Sequence, residues 1–450
     1  MQTAGPKEIR WSSQRTFVLA ATGSAIGLGN IWRFPYITGE NGGGAFVLVY
    51  LACVAFVGIP IMIAEVTMGR HGRGSPVRAM QRLADEQHLH TRWRWIGALS
   101  VFTAFMLISV FAGVAGWSLA YLLPTLRGAL DGLTPAGAAA QFAELTASPG
   151  RVLGYHAIFL LLSVTVVLGG LQAGIERAVK WLMPILFIIL ITMVGYAFLV
   201  GDWKQVFHYL FMPDLHALGA EGMLAAIGQA FLSLSVATGS LFAYGAYVSS
   251  DQPILKPITM IALADTLVAL LAGFAIFPLV FAYGLAPQSG PGLVFVTLAV
   301  AFGEMPWGNV IGAMFFLLLT IATWTSVISS FEPVVVWIME ATGCRRRAAC
   351  WQTFALSWLV GVTVMLSFNV WADVRLFDMN IFSLFERFIT NVLLPTGAFL
   401  IAVFAGWKLS PTISAAAMDA PRIHATWKFF IRYVVLVVVA IIFIDGIGIL

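Results

Sequence analysis

Two stretches of the sequence place glycine and small hydroxylated residues in the middle of otherwise apolar segments. They are Gly23-Ser24-Ala25-Ile26-Gly27-Leu28-Gly29 and Ser233-Leu234-Ser235-Val236-Ala237-Thr238-Gly239-Ser240. A helix interrupted at such a place leaves free carbonyls on one half and free amides on the other. The carbonyls suit a cation, and the amides suit an anion such as a carboxylate. The alternative is that these small residues only allow close helix packing.

Two further features carry oxygen ligands inside apolar segments. Ala322, Thr325 and Ser326 are spaced i, i+3 and i+4, so they share one face of a helix. Their carbonyl and hydroxyl oxygens suit a hard cation, which takes oxygen ligands, although such hydroxyls also bond the carbonyl one turn earlier. Asp265 places a carboxylate in a membrane-like segment, which is costly unless the group is paired or binds an ion. This favours a cation-binding role for Asp265.

The segments that position these residues are typical of a membrane protein. Of the residues, 60% are hydrophobic and only 10% charged, with a mean hydropathy of +0.90, which excludes a soluble globular domain. Apolar stretches long enough to cross a hydrocarbon core of roughly 30 Å recur along the chain, and lipid requires them to be helical. We predict eleven spans, at 13–40, 45–69, 95–124, 153–170, 175–199, 221–249, 254–284, 308–340, 350–368, 382–406 and 427–447. The fold class is an all-α polytopic membrane protein.

The distribution of basic residues predicts the orientation. With a cytoplasmic N-terminus, nineteen of the twenty-five Lys and Arg residues fall on cytoplasmic loops, as basic residues resist translocation. Eleven spans then place the C-terminus outside. We expect a multi-pass protein of the bacterial inner (plasma) membrane.

Other functional classes lack a motif. The net charge of +4 follows from the loop bias and gives no reason to expect a nucleic-acid partner. Cys53, Cys344 and Cys350 do not make a disulfide framework. The sequence has no Cys/His metal spacing, phosphate loop or nucleophile elbow, so an enzyme is not expected.

The first interrupted segment and its continuation carry a specific motif, Gly27-Leu28-Gly29-Asn30-Ile31-Trp32-Arg33-Phe34-Pro35-Tyr36 followed by Gly39-Glu40-Asn41-Gly42-Gly43-Gly44-Ala45-Phe46. It resembles the signature of the neurotransmitter:sodium symporter family. The resemblance continues through Gly174-Ile175-Glu176-Arg177, Gly228-Gln229-Ala230-Phe231, Asp265-Thr266-Leu267-Val268-Ala269 and Glu332-Pro333, over essentially the whole chain.

The resemblance implies a LeuT-like fold in one transmembrane domain, 1–450. Two inverted five-helix repeats, 13–199 and 221–406, would be followed by an additional helix at 427–447, with helices 1 and 6 discontinuous.

The resemblance also implies two sodium sites. The first would use Ala25, Asn30, Ser233 and Asp265, and the second Gly23, Ile26, Ala322, Thr325 and Ser326. Chloride-dependent relatives need a hydroxyl in helix 7 at the position of Ala269. Because the Asp265 charge can replace the anion, we expect no chloride requirement.

Gates on both sides of the site are implied in the same way. The outer gate would be Arg33, Gln229 and Glu386, and the inner gate Trp11, Tyr247 and Glu340. The position at which relatives usually carry the basic partner of the inner gate is Glu8, which leaves Lys7 and Arg10 as substitutes. Gly174 and Pro184 would let helix 5 unwind and admit water to the second sodium site.

The implied substrate pocket is small and hydroxylated. Its predicted members are Ser24, Ala25, Gly27, Gly29, Leu107, Phe111, Val114, Leu232, Ser233, Ser235, Ala237, Thr238, Ser329 and Ser330. Amine-selecting relatives carry Asp in place of Gly27, which indicates a substrate that brings its own carboxylate. Phe111 replaces a substrate-binding Tyr, which removes one hydrogen bond to that carboxylate.

We therefore predict a sodium-coupled symporter that imports a small neutral amino acid or close analogue across the lipid bilayer by alternating access. The alternatives are a sodium-coupled transporter of a non-α-amino-acid amine or zwitterion, and a solute sensor without transport.

Overall fold

The computed structural model describes residues 9–213, 215–250, 252–284, 292–418 and 420–446. Regular structure within them is helical, apart from one isolated bridge between Leu376 and Met379. Nine helices in these ranges are long and apolar enough to cross a membrane: Gly44–Gly72, Thr91–Leu126, Pro149–Leu168, Leu171–Val200, Leu255–Ala282, Gly308–Thr342, Arg346–Leu366, Ile381–Lys408 and Pro421–Ile442. Each corresponds to one predicted span.

The first predicted span is interrupted, as expected. The helix Gln14–Ala25 ends where Ile26 becomes extended (φ −67°, ψ 107°). Helical structure then returns as a π-helical turn, Gly29–Arg33, and continues as Phe34–Glu40. The backbone groups of this break are therefore free to face a ligand.

The sixth predicted span is interrupted as well. The helical segment Leu215–Ser233, which is kinked at Gly219 (φ 60°, ψ −179°), ends at Ser233, and Ser240–Gly245 continues beyond the break. Between them, Ser235 (φ 51°) and Ala237 (φ 62°) adopt the left-handed region, which is strained for residues with a side chain. The prediction of two discontinuous helices is thus confirmed.

Among the described residues, four helices of nine or more residues lie outside the predicted spans, at Pro76–Glu86, Pro135–Ala147, Trp203–Phe211 and Leu293–Glu304. The first is amphipathic, with Ala79, Met80 and Leu83 fully buried. Its N-cap is Ser75, whose hydroxyl accepts a hydrogen bond from the Arg78 amide at 3.3 Å. These helices were not predicted.

The longest helices form the frame around the two breaks. Gly308–Thr342 packs along most of Thr91–Leu126, and it also contacts Gln14–Ala25. Gln14–Ala25 packs in addition on Leu255–Ala282, which carries Asp265. The frame thus brings the first interrupted helix, Asp265 and the Thr325–Ser326 pair to one place.

Candidate substrate and ion site

A cluster of polar side chains joins the two breaks through Asp265. The Asn30 amide nitrogen donates to Asp265 Oδ1 at 2.7 Å, and the Ser233 hydroxyl donates to Asp265 Oδ2 at 2.5 Å. Asn30 also donates to Ser233 Oγ at 3.1 Å, and the Tyr50 hydroxyl lies 3.0 Å from the same atom. All four residues are fully buried. The structure thus brings together three of the four residues predicted for the first sodium site.

The charge of Asp265 has no basic partner within the described part of the chain. Only neutral hydrogen-bond donors contact its carboxylate. Isolated buried charges are strongly unfavourable, so this arrangement is suited to receive a cation. The fourth predicted member, Ala25, lies at the end of the helix Gln14–Ala25.

The predicted second ion site is also brought together. The Ser326 hydroxyl reaches the Ser24 carbonyl at 2.9 Å and the Ile26 carbonyl at 3.2 Å. A Cβ atom on Gly23 would lie 3.4 Å from Thr325 Cβ, so the helix backbone passes close to this face. Thr325 meanwhile bonds the Ala322 carbonyl at 2.9 Å. Ser326 therefore meets the Ile26 carbonyl, and Thr325 lies beside Gly23.

A small cavity adjoins the two breaks. It is lined by Ala25, Gly27, Leu28, Gly29, Leu107, Phe111, Leu232, Ser235, Thr238, Thr323, Ser326, Val327 and Ser330. At Gly27 a Cβ atom would lie only 2.5 Å from Ser326 Oγ, so no side chain fits without displacing Ser326. One wall is thus backbone, and the others are apolar side chains and hydroxyls.

The lining differs from the predicted pocket in both directions. Nine of the predicted residues line it, whereas Ser24, Val114, Ser233, Ala237 and Ser329 do not. The Ser233 hydroxyl is held by Asp265, and the Ala237 amide donates to Glu65 at 3.3 Å. Ser329 instead donates to the Ser326 carbonyl at 2.7 Å. Val114 is fully buried.

Four lining residues were missed, namely Leu28, Thr323, Ser326 as a pocket residue, and Val327. A signal for most of them was present in the sequence. Thr323, Ser326, Val327 and Ser330 are spaced i, i+3, i+4 and i+7, which places them on one face of the Gly308–Thr342 helix.

The predicted outer gate residues lie beside the first interrupted helix and contact one another. Arg33 donates to Gln229 Oε1 at 2.9 Å, and its Nε lies 3.9 Å from Glu386 Oε1. Gln229 in turn donates to the Gly29 carbonyl at 2.7 Å. This chain of contacts links the gate directly to the backbone of the break.

The predicted inner gate is assembled only in part. The Trp11 indole nitrogen donates to the Tyr244 carbonyl at 2.9 Å, and the Trp11 amide donates to the Tyr247 carbonyl at 3.2 Å. The indole ring also meets the Tyr247 ring edge-on, with centroids 6.3 Å apart. Trp11 and Tyr247 are therefore in direct contact through both backbone and rings.

Glu340, the third predicted member of this gate, makes no contact with Trp11 or Tyr247 among the described contacts. Glu340 accepts hydrogen bonds from the hydroxyl and the amide of Ser75, and lies 3.8 Å from Arg78. The Tyr247 hydroxyl donates instead to Glu332 at 2.7 Å. Glu332 lies eight residues before Glu340, about 12 Å away along the helix, so the two carboxylates lie at different levels.

Glu332 is the centre of a network that sequence reasoning missed. It is fully buried, and Arg346 donates to both of its carboxylate oxygens, at 3.1 and 2.5 Å. This bidentate pair is a strong arrangement. Of the proposed basic substitutes near Trp11, Lys7 lies outside the described residues, as does Glu8, and Arg10 donates to Ser249 at 2.8 Å.

Gly174 and Pro184 lie in the continuous helical stretch Leu171–Val200. Gly174 belongs to a π-helical turn, Leu171–Glu176, that opens this stretch. Glu176, in the same turn, accepts hydrogen bonds from the Ser12 amide at 2.8 Å and the Ser12 hydroxyl at 2.7 Å. The segment before Gln14–Ala25 is thereby tied to the Leu171–Val200 stretch.

Interrupted helices around an oxygen-rich cavity, inside a bundle of apolar helices, define a secondary transporter. The sequence profile of the Sodium:neurotransmitter symporter family matches residues 8–133 and 140–448. A Bacillus subtilis (strain 168) protein named uncharacterized sodium-dependent transporter YhdH is 34% identical over 449 residues, 99% of each chain. An uncharacterized sodium-dependent transporter of Haemophilus influenzae is 30% identical over 456 residues, 99% of this chain and 100% of that protein.

A solved structure is similar over nearly the whole chain. The crystal structure of MhsT in complex with L-phenylalanine matches with a TM-score of 0.91 and 37% identity, covering 98% of this chain and 100% of that one. The chain belongs to the sodium:neurotransmitter symporter family. It is a multi-pass membrane transporter of LeuT-like fold, it is not an enzyme, and it couples the symport of a small molecule to sodium.

Proposed function

We propose that this symporter imports a small neutral amino acid together with two sodium ions, without chloride, by alternating access. The observation that carries the proposal is the Asp265 carboxylate, which is buried where the two breaks meet and is contacted only by neutral donors. A cation is the partner that such a charge requires.

The first sodium ion would be bound by the Ala25 carbonyl, the Asn30 amide oxygen, Ser233 and Asp265, all of them oxygen ligands. Asn30 and Ser233 already contact Asp265 at 2.7 and 2.5 Å. The second ion would lie between the carbonyls of Gly23, Ile26 and Ala322 and the hydroxyls of Thr325 and Ser326. Sodium there would contact the Ile26 carbonyl and a lone pair of the Ser326 hydroxyl, which would keep its single proton for the Ser24 carbonyl.

The substrate carboxylate would approach the Gly27–Gly29 backbone and the first sodium ion. Gly27 supports this placement, because it supplies no acidic side chain and a Cβ atom there would lie 2.5 Å from Ser326 Oγ. The cavity itself is lined by no charged side chain within the described residues, which favours a substrate side chain without charge. MhsT, which was crystallised with L-phenylalanine, supports the amino-acid class.

Alternating access would use the contacts on the two sides of this cavity. Arg33, Gln229 and Glu386 would close the outer side, and the contact between Trp11 and Tyr247 the inner side, with the N-terminus cytoplasmic and the C-terminus outside. Gly174 and Pro184 would weaken helix 5 during inward opening. The two inverted repeats, 13–199 and 221–406, would move relative to each other between the outward-open and the inward-open state.

The direct test is solute uptake into proteoliposomes with an inward sodium gradient. Labelled neutral amino acids should accumulate with the gradient and not when sodium is equal on both sides or replaced by choline. Asp265→Ala should raise the sodium concentration needed for half-maximal uptake, whereas Glu144→Gln, which changes an exposed carboxylate paired with Arg151, should not. Equilibration without accumulation in the wild type would refute the symport of amino acids, and binding without any flux would indicate a sensor.

Phe111 favours a second candidate substrate class. This residue lines the cavity and offers no hydroxyl to an α-carboxylate. A zwitterion with a β- or γ-amino group would place its carboxylate differently, so the missing hydroxyl at Phe111 would not cost it a hydrogen bond. The same uptake assay, run with β- and γ-amino analogues and decarboxylated amines as competitors, separates this class from α-amino acids.

A further inference from the structure

The hydroxyl groups of the cavity share one property. Five hydroxylated residues line it, namely Ser235, Thr238, Thr323, Ser326 and Ser330. Each donates its proton to a backbone carbonyl of the protein: Ser235 to Ser24 at 2.8 Å, Thr238 to Ser235 at 2.7 Å, Thr323 to Leu319 at 2.8 Å, Ser326 to Ser24 at 2.9 Å and Ser330 to Ser326 at 3.0 Å. With their protons committed, these side chains have lone pairs left to offer, and that of Thr238 is shared with the Ser240 amide, which donates to it at 3.4 Å.

The remaining side chains around the cavity are apolar. Leu107 and Phe111 come from Thr91–Leu126, Val327 from Gly308–Thr342, and Leu28 and Leu232 from the two interrupted helices. Arg, Lys, Asn and Gln, whose side chains could offer N–H donors to a substrate, do not occur among the described lining residues. Away from the break after Ala25, the cavity wall is thus apolar except for hydroxyl oxygens that can accept a hydrogen bond.

The acceptors divide into two groups by position. Ser235 and Ser326 both bond the Ser24 carbonyl and so lie beside the break that is proposed to receive the substrate backbone. Thr323 and Ser330 lie about one turn to either side of Ser326 on the same helix face, and Thr238 closes the second break. These three face the space that is left for the substrate side chain.

We propose that the side-chain part of this cavity selects neutral amino acids that carry an N–H or O–H donor on an otherwise apolar side chain. This inference rests on the proposed amino-acid transport. A donor on the substrate would meet an oxygen whose own proton is already committed, so both groups are satisfied at once. A substrate acceptor without a proton would face only lone pairs and would lose its bonds to water without replacement.

The expected preference is about two- to tenfold for each donor, the range that one hydrogen bond to a neutral acceptor gives. Isosteric pairs measure it most directly, because they differ by the donor alone. Suitable pairs are tryptophan against 3-benzothienylalanine and threonine against valine. Inhibition constants are measured against sodium-driven uptake of one labelled amino acid that the wild-type protein transports.

Variants identify the acceptor. Thr238→Val, Thr323→Val and Ser330→Ala each remove one oxygen, and the variant that removes the acceptor in use should bring the ratio of the two inhibition constants close to one. Thr238→Ser and Thr323→Ser retain the oxygen and should retain the ratio. Thr353→Val is the control, since Thr353 makes the same type of back-bond, to Ala349 at 2.9 Å, but does not line this cavity.

The outcomes separate this inference from the function on which it rests. If neutral amino acids compete for sodium-driven uptake but the donor-free member of each pair binds as tightly as its partner, the inference is overturned and the proposed function stands. Retention of the wild-type ratio in all three acceptor-removing variants overturns it equally. If no neutral amino acid competes, the proposed function fails, and the inference fails with it.

Discussion

Replacing Asp265 with Asn tests the proposed ion coupling most directly, because it removes a charge and leaves the side-chain size unchanged. The carboxylate accepts hydrogen bonds from Asn30 at 2.7 Å and from Ser233 at 2.5 Å, and both donors are neutral. Within the described residues no Lys, Arg or His pairs with Asp265. A bound sodium ion would be the one positive charge in contact with it.

The magnitude follows from the cost of an unpaired buried charge. Removing one member of a buried ion pair typically costs about 3–5 kcal/mol, and the amide oxygen of Asn would retain part of the ligation. We therefore expect sodium binding at this site to weaken by at least about 1.4 kcal/mol, which is a tenfold higher sodium concentration for half-maximal uptake.

The same substitution has a second, opposite effect in the absence of sodium. The wild-type protein then holds an uncompensated buried charge, and Asp265→Asn removes it. We expect the variant to be at least as resistant to thermal unfolding as the wild type in sodium-free buffer. In the wild type, sodium at a hundredfold excess over its Kd would add about 2.7 kcal/mol of stability, and this increment should shrink in the variant.

The assay combines thermal unfolding of the purified protein with uptake into proteoliposomes. Sodium chloride is titrated against choline chloride at constant ionic strength, so that screening does not change. Glu144→Gln serves as the control, because Glu144 is exposed and pairs with Arg151 at the surface. An Asp265→Asn protein with wild-type sodium dependence in both measurements would refute the assignment of this carboxylate to an ion site.

Three further outcomes are expected. Ser326→Ala should raise the sodium concentration for half-maximal uptake several-fold, because it removes a proposed ligand of the second site; an unchanged value would contradict that site. Replacing external chloride with gluconate should leave uptake intact, since Ala269 offers no hydroxyl to an anion, and loss of uptake would show that chloride is required. Phe111→Tyr should strengthen binding of an α-amino acid by up to about tenfold; weaker binding in a competition assay would instead favour a substrate that leaves the new hydroxyl unpaired.

The positions of the two breaks could be predicted because their cause is local. Gly27 and Gly29 in the first span, and the run of small and hydroxylated residues after Ser233 in the sixth, lower the helical preference within a few residues. The observed breaks follow Ala25 and Ser233, inside the predicted stretches. The side-chain cluster between them was predictable only through the resemblance, because Asn30 and Asp265 are separated by 235 positions.

The inner gate shows what the sequence could not determine. Glu332 and Glu340 lie on one helix, and either carboxylate could face Tyr247 as far as the sequence is concerned. The choice depends on which groups neighbouring segments supply. Ser75, the N-cap of a short helix that was not predicted, donates to Glu340, whereas Arg346 from the next helix holds Glu332. Such tertiary partners leave no local pattern.

The Ser24 carbonyl explains why ions and substrate would affect each other. It accepts hydrogen bonds from both Ser235 and Ser326, at 2.8 and 2.9 Å, and so ties the first break to the second break and to the Gly308–Thr342 helix. A sodium ion at the second site would bind the Ser326 oxygen, and a substrate would occupy the cavity that Ser235 and Ser326 both line. Because each ligand changes the arrangement that the other meets, the two binding free energies are coupled, and linkage makes that coupling reciprocal. The coupling therefore requires no contact between the second ion and the substrate, only their shared use of one interrupted backbone.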